Sequence, residues 1–409
     1  MAATASTPAT ASSSPVGRLS HARGFVVIAL AFTTAMAFST IPTPLYALYQ
    51  ARDGFPTYVV TIVFAAYAVG VAISLYLAGH VSDWLGRRRV ILVALAVELL
   101  AAAIFLIWPQ VPGLIVARFV SGVGIGILTA TATAHLSELH AVARPGAGPS
   151  RAGVVSSLAN IGGLSLGPLI AGLIATFAPA PLVTPFVVFA VLLVLGVLFV
   201  AGVPETVERG EERRAYRPQR VAVPAAGRAT FWAAGAGAFG GFSIFGLFMS
   251  LTPTVLAVSM GLTARWIAGG VPFLFFAAAA LAQVATVRMP LRRQLILALV
   301  MLVVGIVLFT ASVVIAFLPL FLIGGIVAGA GVGVLFRSSL GVGGALAPAG
   351  RRGEVLAAIF LISYVGLAVP TLLIGVALVW FPLVPVLLVF AVLVLALALW
   401  ATPRMIRRA

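Results

Sequence analysis

The stretch Gly79-His80-Val81-Ser82-Asp83-Trp84-Leu85-Gly86-Arg87-Arg88-Arg89 sets one carboxylate and three guanidiniums between two apolar runs, Tyr58–Ala78 and Ile91–Trp108. Asp83 suits a pair with a nearby arginine or with the positive N-terminus of a helix. Contacts of that kind make a latch, formed in one conformation and broken in another. The plainer reading is that the arginines only anchor the chain at a membrane surface. Glu98, inside the second run, is the one carboxylate deep in an apolar stretch. Burial favours the neutral form of a carboxylate, so Glu98 is a candidate proton carrier; its structural alternative is a pair with an arginine. Asp53 is a weaker candidate. Arg118 and Arg337 also fall within apolar runs. An ionised arginine is expensive in lipid and turns toward a cavity or a partner. Arg118 serves either a functional site or the bonding of helix ends. Arg337 suits attraction of an anionic solute or closure of the latch.

These side chains need long elements to hold them. Of 409 residues, 62% are hydrophobic and 8% charged, with a mean hydropathy of +1.20. A soluble chain carries roughly 25% charged residues, so the solvent here is lipid. About 20 apolar residues cross a bilayer core, which allows this length about a dozen crossings. The runs are continuous rather than alternating, which favours helices over a barrel. There is no cysteine, which excludes disulfides, thiol catalysis and cysteine metal sites. No cofactor and no metal-ligand set is legible. All 25 basic side chains are arginine and the net charge is +16. Such a charge would suit nucleic acid, but the arginines lie in short loops between apolar runs.

The predicted spans are 24–48, 57–79, 89–108, 112–138, 151–177, 183–203, 229–257, 266–287, 294–315, 318–344, 354–378 and 383–402. Residues 1–23 read as a disordered tail and 403–409 as a second tail. A signal peptide ending near Ala35-Met36-Ala37 is the lesser reading of the first run. On this assignment 21 of the 25 arginines fall on one side. The positive-inside rule then places both termini in the cytoplasm. The long loop 204–228 divides the chain into a bundle of six spans at 24–203 and another at 229–402. The halves echo each other: Gly122-x-Gly124-x-Gly126 in span 4 matches Gly329-x-Gly331-x-Gly333 in span 10. The fold class expected is an all-α membrane protein, with twelve transmembrane helices in two pseudo-symmetric six-helix bundles.

Gly79-x-x-x-Asp83-x-x-Gly86-Arg87-Arg88 resembles the signature loop of the major facilitator superfamily, with Trp84 where the family carries an arginine. The resemblance implies a latch that meets span 11 when the cytoplasmic side is closed, with Glu138 and Arg151 as further members. Leu114-x-x-x-Arg118-x-x-x-Gly122-x-Gly124-x-Gly126 resembles the family's span-4 motif, in which the arginine is tied to proton coupling; its glycines read as packing. Gly163-x-x-x-Gly167-Pro168-x-x-x-Gly172 is similar to the helix-kink motif of drug–proton antiporters, with Ala171 where a glycine is usual. Pro204-Glu205-Thr206 resembles a sequence common after span 6. In the family, spans 1, 4, 7 and 10 line a central cavity with spans 2, 5, 8 and 11 alongside. The candidates there are Phe38, Tyr67, Asn160, Phe242, Phe245, Gln283, Arg337 and Tyr364. Phe239, Phe242, Phe245 and Phe248 form a three-residue repeat that reads as one face, facing either the cavity or its packing neighbours.

The resemblance implies a secondary transporter working by alternating access, with proton-coupled efflux of small amphipathic compounds as the first expectation. Proton-coupled uptake of a sugar or organic acid is the alternative. The expected partners are a small solute, protons and the lipid bilayer, with no nucleic acid. The expected unit is a monomer in the bacterial cytoplasmic membrane. A membrane-embedded enzyme would need clustered His, Asp or Glu at one face, and nine acids and four scattered histidines do not provide that.

Overall fold

A computed structural model describes residues 19–146, 148, 150–207, 218, 220–224, 227–348 and 351–407. Twelve helices among them are long and apolar enough to cross a membrane. They are α1 His21–Asp53, α2 Thr57–Ala78, α3 Arg87–Ile107, α4 Val111–Ala143, α5 Arg151–Phe177 and α6 Thr184–Ala201. The second six are α7 Arg228–Ser250, α8 Arg265–Ala285, α9 Leu291–Ile315, α10 Leu318–Ala345, α11 Arg352–Ala377 and α12 Leu383–Ile406. The chain is a multi-pass membrane protein. Its exposed side chains include large apolar ones along most helices, such as Leu30, Leu198, Leu281 and Leu393, as lipid requires.

Several ends differ from the expected spans. α1 is broken: residues His21–Phe38 and Pro42–Asp53 are separate helices. Pro42 and Pro44 lack the N–H groups that would carry the ladder through. α4 runs on to Ala143 and so takes Glu138 into the helix. α7 stops at Ser250, and Thr252–Met260 follows as a short helix. α12 reaches Ile406, four residues into the expected tail. Of the expected N-terminal tail, residues 1–18 lie outside the described residues, and helix begins at His21. Part of the expected linker, 208–217, 219 and 225–226, also lies outside them.

Each packing pair in the first half has a counterpart in the second. α2 lies on α4 as α8 lies on α10, α3 on α4 as α9 on α10, and α1 on α6 as α7 on α12. The repeated glycines explain the tightest pairs. A Cβ on Gly122 would meet the Tyr67 carbonyl of α2, and one on Gly329 would meet the Phe275 carbonyl of α8. Gly124 and Gly331, between them in each motif, face α3 and α9. Small residues let the backbones touch, which in lipid is a main source of helix association.

The halves meet along two seams, α5 against α8 and α2 against α11. In the first, the Cα of Gly172 sits where a Cβ on Gly269 would reach 3.2 Å, and the Arg265 guanidinium donates to the Ala175 carbonyl at 2.7 Å. In the second, Gly375 packs on Thr61. Both contacts lie at the end away from the arginine-rich loops. There Pro42–Asp53 also touches Thr252–Met260.

A methyl group at position 269 would run into the Pro168 carbonyl, whereas one at 270 would meet nothing within 4 Å. Gly269→Ala is therefore expected to lower the melting temperature in detergent, by the about 1–3 kcal/mol of an overpacked contact. Gly270→Ala is expected to leave it unchanged or slightly raised, because alanine is the better helix former.

Candidate functional site

The break in α1 creates the first element of the site. Pro42 has no N–H, and the Thr43 N–H turns back to the Thr40 carbonyl at 3.2 Å. The Ser39 carbonyl is left without its helical donor, and Arg118 of α4 donates to it. The guanidinium lies over the Tyr67 ring at 4.3 Å and the Phe64 ring at 5.7 Å. Aromatic faces attract a cation, more so away from water. Arg118 is 3% exposed, and its Nε has no hydrogen-bond partner among the described residues.

The kink motif supplies the second element. Pro168 cannot donate to the Leu164 carbonyl, and Thr40 of α1 does so at 3.1 Å. Gly163 and Gly167 face α1, and Gly172 faces α8. Above them Leu158–Gly162 winds as a wider π-helical turn that carries Asn160. Such turns often mark functional positions.

Between the halves lies a cavity of about 620 Å³. It runs from Arg118, Thr43 and Met249 to the arginine-rich ends of α5, α8, α10 and α11, at Gly153, Val287, Gly341 and Arg352. Its wall includes Tyr67, Asn160, Phe242, Phe245, Gln283, Arg337 and Tyr364. Phe242 gathers the aromatic side: its ring centroid is 4.7 Å from Phe336, 5.2 Å from Phe245 and 5.6 Å from Tyr364. Arg337 donates to the Gln283 carbonyl at 3.2 Å, while the buried Gln283 side-chain Nε2 has no partner. Three arginines line the cavity, Arg118, Arg337 and Arg352, and no carboxylate does so among the described residues.

Two expectations about the wall fail. Phe38 is 1% exposed and packs edge-on against Phe105, away from the cavity. It is the last residue before the break in α1, where helical spacing no longer dictates direction. Phe239 and Phe248 are also outside the wall; Phe248 stacks on Phe275 at 4.2 Å. A three-residue step falls about 60° short of a helical turn, so a run of three such steps drifts off one face. The wall in turn contains residues that spacing alone did not point to, Phe64, Phe276, Phe336 and Arg352 among them.

Glu98 is fully buried between α3 and α4, outside the cavity wall. Its Oε2 accepts from Ser121 at 2.9 Å, and Oε1 has no hydrogen-bond partner among the described residues. Ser121 stands on α4 three residues from Arg118.

The signature loop forms a network at the arginine-rich end. The Arg87 side chain donates to Asp83 at 2.5 Å, to Ser82 at 2.6 Å and to Glu138 of α4 at 2.9 Å. Gly86 takes φ +99°, and a Cβ there would strike the Glu205 carboxylate, so the position demands glycine. Glu205 accepts from the main-chain N–H of Arg87 at 2.8 Å and of Arg88 at 3.2 Å, which caps the start of α3. Thr206 donates to Glu138 at 2.5 Å. The segment Pro204-Glu205-Thr206 is thus part of the network. Gly79 only ends α2, with an ordinary helical φ. Arg151 is not in the network: it is exposed and, among the described residues, makes no ion pair. Among the described residues the side-chain partners of Arg87 lie in the first half, and Glu205, in the loop that follows that half, accepts its main-chain N–H.

A family model described as Major Facilitator Superfamily matches residues 24–369. No curated protein matches the chain. Among solved structures it is similar to the human organic anion transporter MFSD10 (TETRAN), at 18% identity and a TM-score of 0.67, covering 94% of this chain and 100% of that one. It is also similar to the nucleoside transporter NupG, at 11% identity and a TM-score of 0.71, covering 93% of this chain and 99% of that one. At such identities the likeness shows the fold.

The two acids on Arg87 differ in setting. Asp83 is 58% exposed at its side chain, Glu138 33% and Arg87 12%. Glu138→Gln is expected to cost about 1–3 kcal/mol, since it leaves a mostly buried guanidinium short of its partner. Asp83→Asn is expected to cost less than about 1 kcal/mol. Chemical or thermal unfolding of the purified variants checks the order.

Proposed function

The chain belongs to the Major Facilitator Superfamily, and from that premise we propose that it carries small amphipathic anions across a membrane by alternating access, in the direction of proton-coupled export. The observation that carries this reading is the cavity wall, with three guanidiniums, no carboxylate among the described residues, and otherwise mainly aromatic and aliphatic groups. A cationic solute would meet three like charges. A sugar would find hydroxyl and amide groups such as Thr43, Ser157 and Asn160 set among aromatic and aliphatic side chains, and it would leave the three guanidiniums without a counter-charge. An anion with an apolar body finds the guanidiniums of Arg118, Arg337 and Arg352 in the wall and rings to lie against. The similar structure of a human organic anion transporter agrees with this chemistry.

Export rests on the α5 motif, which resembles that of drug–proton antiporters and here serves both of α5's joints, to α1 and to α8. Glu98 is the proposed proton carrier. It acts through Ser121 on α4, the helix that presents Arg118 to the cavity. The arginine-rich face is the cytoplasmic one by charge, with both termini on that side, in a bacterial cytoplasmic membrane. One chain contains the whole cavity, so the working unit is a monomer. The loop latch belongs to the state closed to the cytoplasm, and its Arg87 cluster holds the first half together when that side is open.

Purified protein in liposomes under an imposed pH gradient tests this. Fluorescent anionic amphiphiles are expected to move, and cationic dyes of similar size are not. Arg118→Gln and Arg337→Gln are each expected to lower apparent affinity for the anion by about tenfold or more, the value of a charge-assisted hydrogen bond. Glu98→Gln is expected to bind the anion normally and lose the response to the gradient. Equal transport of cations, or indifference of anion binding to both arginine variants, would overturn the substrate class.

A further inference from the structure

A second cavity lies outside the central one, at the outer edge of the arginine-rich end. It has about 570 Å³ and forms where the start of α1, the end of α4, the start of α5 and the end of α6 meet. Its wall has two chemistries. Arg23, Arg144 and Arg151 come from three separate segments, and among the described residues none of the three guanidiniums has an ion-pair or hydrogen-bond partner. His140 beside them is 5% exposed, and its Nε2 has no hydrogen-bond partner among the described residues. The remaining wall is apolar. Val26 is 53% exposed and Phe199 60%, on the outer faces of α1 and α6.

Three cations that line one crevice with no counter-charge among the described residues repel one another, and an anion among them relieves that repulsion. A free phosphate would use only the guanidiniums. The apolar part of the crevice lies on helices that cross the membrane, where acyl chains are the surrounding solvent. We propose that this crevice binds an anionic phospholipid. The headgroup phosphate accepts from Arg23, Arg144 and Arg151, with His140 as a further donor, and an acyl chain lies along Val26 and Phe199. Basic pockets between helices at a membrane face suit such headgroups. Arg151 stands two residues before Gly153 in the wall of the central cavity. The headgroup therefore ties the mouth of α5 to α1 and α4. The site is independent of what the central cavity carries.

Native mass spectrometry of the full chain tests the site, with phosphatidylglycerol and phosphatidylcholine of identical acyl chains offered in competition. The wild type is expected to retain phosphatidylglycerol preferentially. Arg23→Gln with Arg144→Gln is expected to lower that preference by about tenfold or more. Arg292→Gln with Arg293→Gln, on the same face but away from the crevice, is expected to leave it unchanged. All these positions are on the surface, and melting curves verify the fold; Arg144→Gln alone gives the reading if the double variant melts early. Equal retention of the two lipids, equal loss in both double variants, or full retention in the crevice variant would overturn the proposal. So would displacement of the bound lipid by millimolar inorganic phosphate, which would make the crevice a site for a free anion.

Discussion

Lipid offers a guanidinium no acceptor, so Arg118 has to find one inside the protein. It finds the Ser39 carbonyl, which is free only because α1 breaks ahead of Pro42. The same break presents Thr40, whose hydroxyl serves the Leu164 carbonyl that Pro168 leaves unserved in α5. Two proline-made gaps in two helices are thereby closed by side chains of neighbouring helices. An unsatisfied main-chain group in hydrocarbon costs several kcal/mol, so neither break could stand alone. The irregular backbone sits where it lines the cavity, the one place at membrane depth where it is tolerated.

At the opposite end the constraint is charge rather than backbone. Glu205 caps α3, Glu138 and Asp83 share Arg87, and Thr206 closes the ring. This gathers the ends of α2, α3 and α4 with the chain that leaves α6. Nothing in the ring crosses to the second half. The two halves touch instead along the α5–α8 and α2–α11 seams, with glycine contacts and the Arg265 bond to the Ala175 carbonyl at the far end. Each half is internally tied by charge or close backbone packing, and the halves meet along two helix seams with no ion pair between them among the described residues. That distribution suits rigid-body movement of one half against the other.

The twelve crossings were legible because the bilayer sets a length that apolar runs must meet. The halves were legible because each Gly-x-Gly-x-Gly run marks a helix packed at backbone distance on both sides. The loop motif named Asp83, Gly86 and Arg87 as a unit, since their types and order carry the geometry. Their partners were harder to read. Ser39 contributes a carbonyl, and a main-chain acceptor has no side-chain signature. Glu205 lies more than a hundred residues from the loop that it caps, and Pro204-Glu205-Thr206 by itself reads as an ordinary loop start. Arg151 and Arg352 both open helices beside arginine-rich loops. Which of them faces the cavity depends on how each helix is rotated about its axis, and only packing decides that. Phe242 and Phe245 reach the wall while Phe239 and Phe248 do not, because a period of three is not the period of an α-helix.

The contact between Gly172 and Gly269 has a mechanical consequence. With no side chain between them, the backbones of α5 and α8 touch at this point, so a tilt of one half against the other would turn about it as a fulcrum with little width. Along α5, Gly172 is about 28 Å from Gly153, at 1.5 Å of rise per residue. A tilt of about 10° at that fulcrum would sweep the mouth of the cavity by about 5 Å while shifting the crossing itself hardly at all. The gain of the lever is set by where the glycines stand along the helix. Bulkier residues at the crossing would push the axes apart and turn part of each tilt into sideways slip.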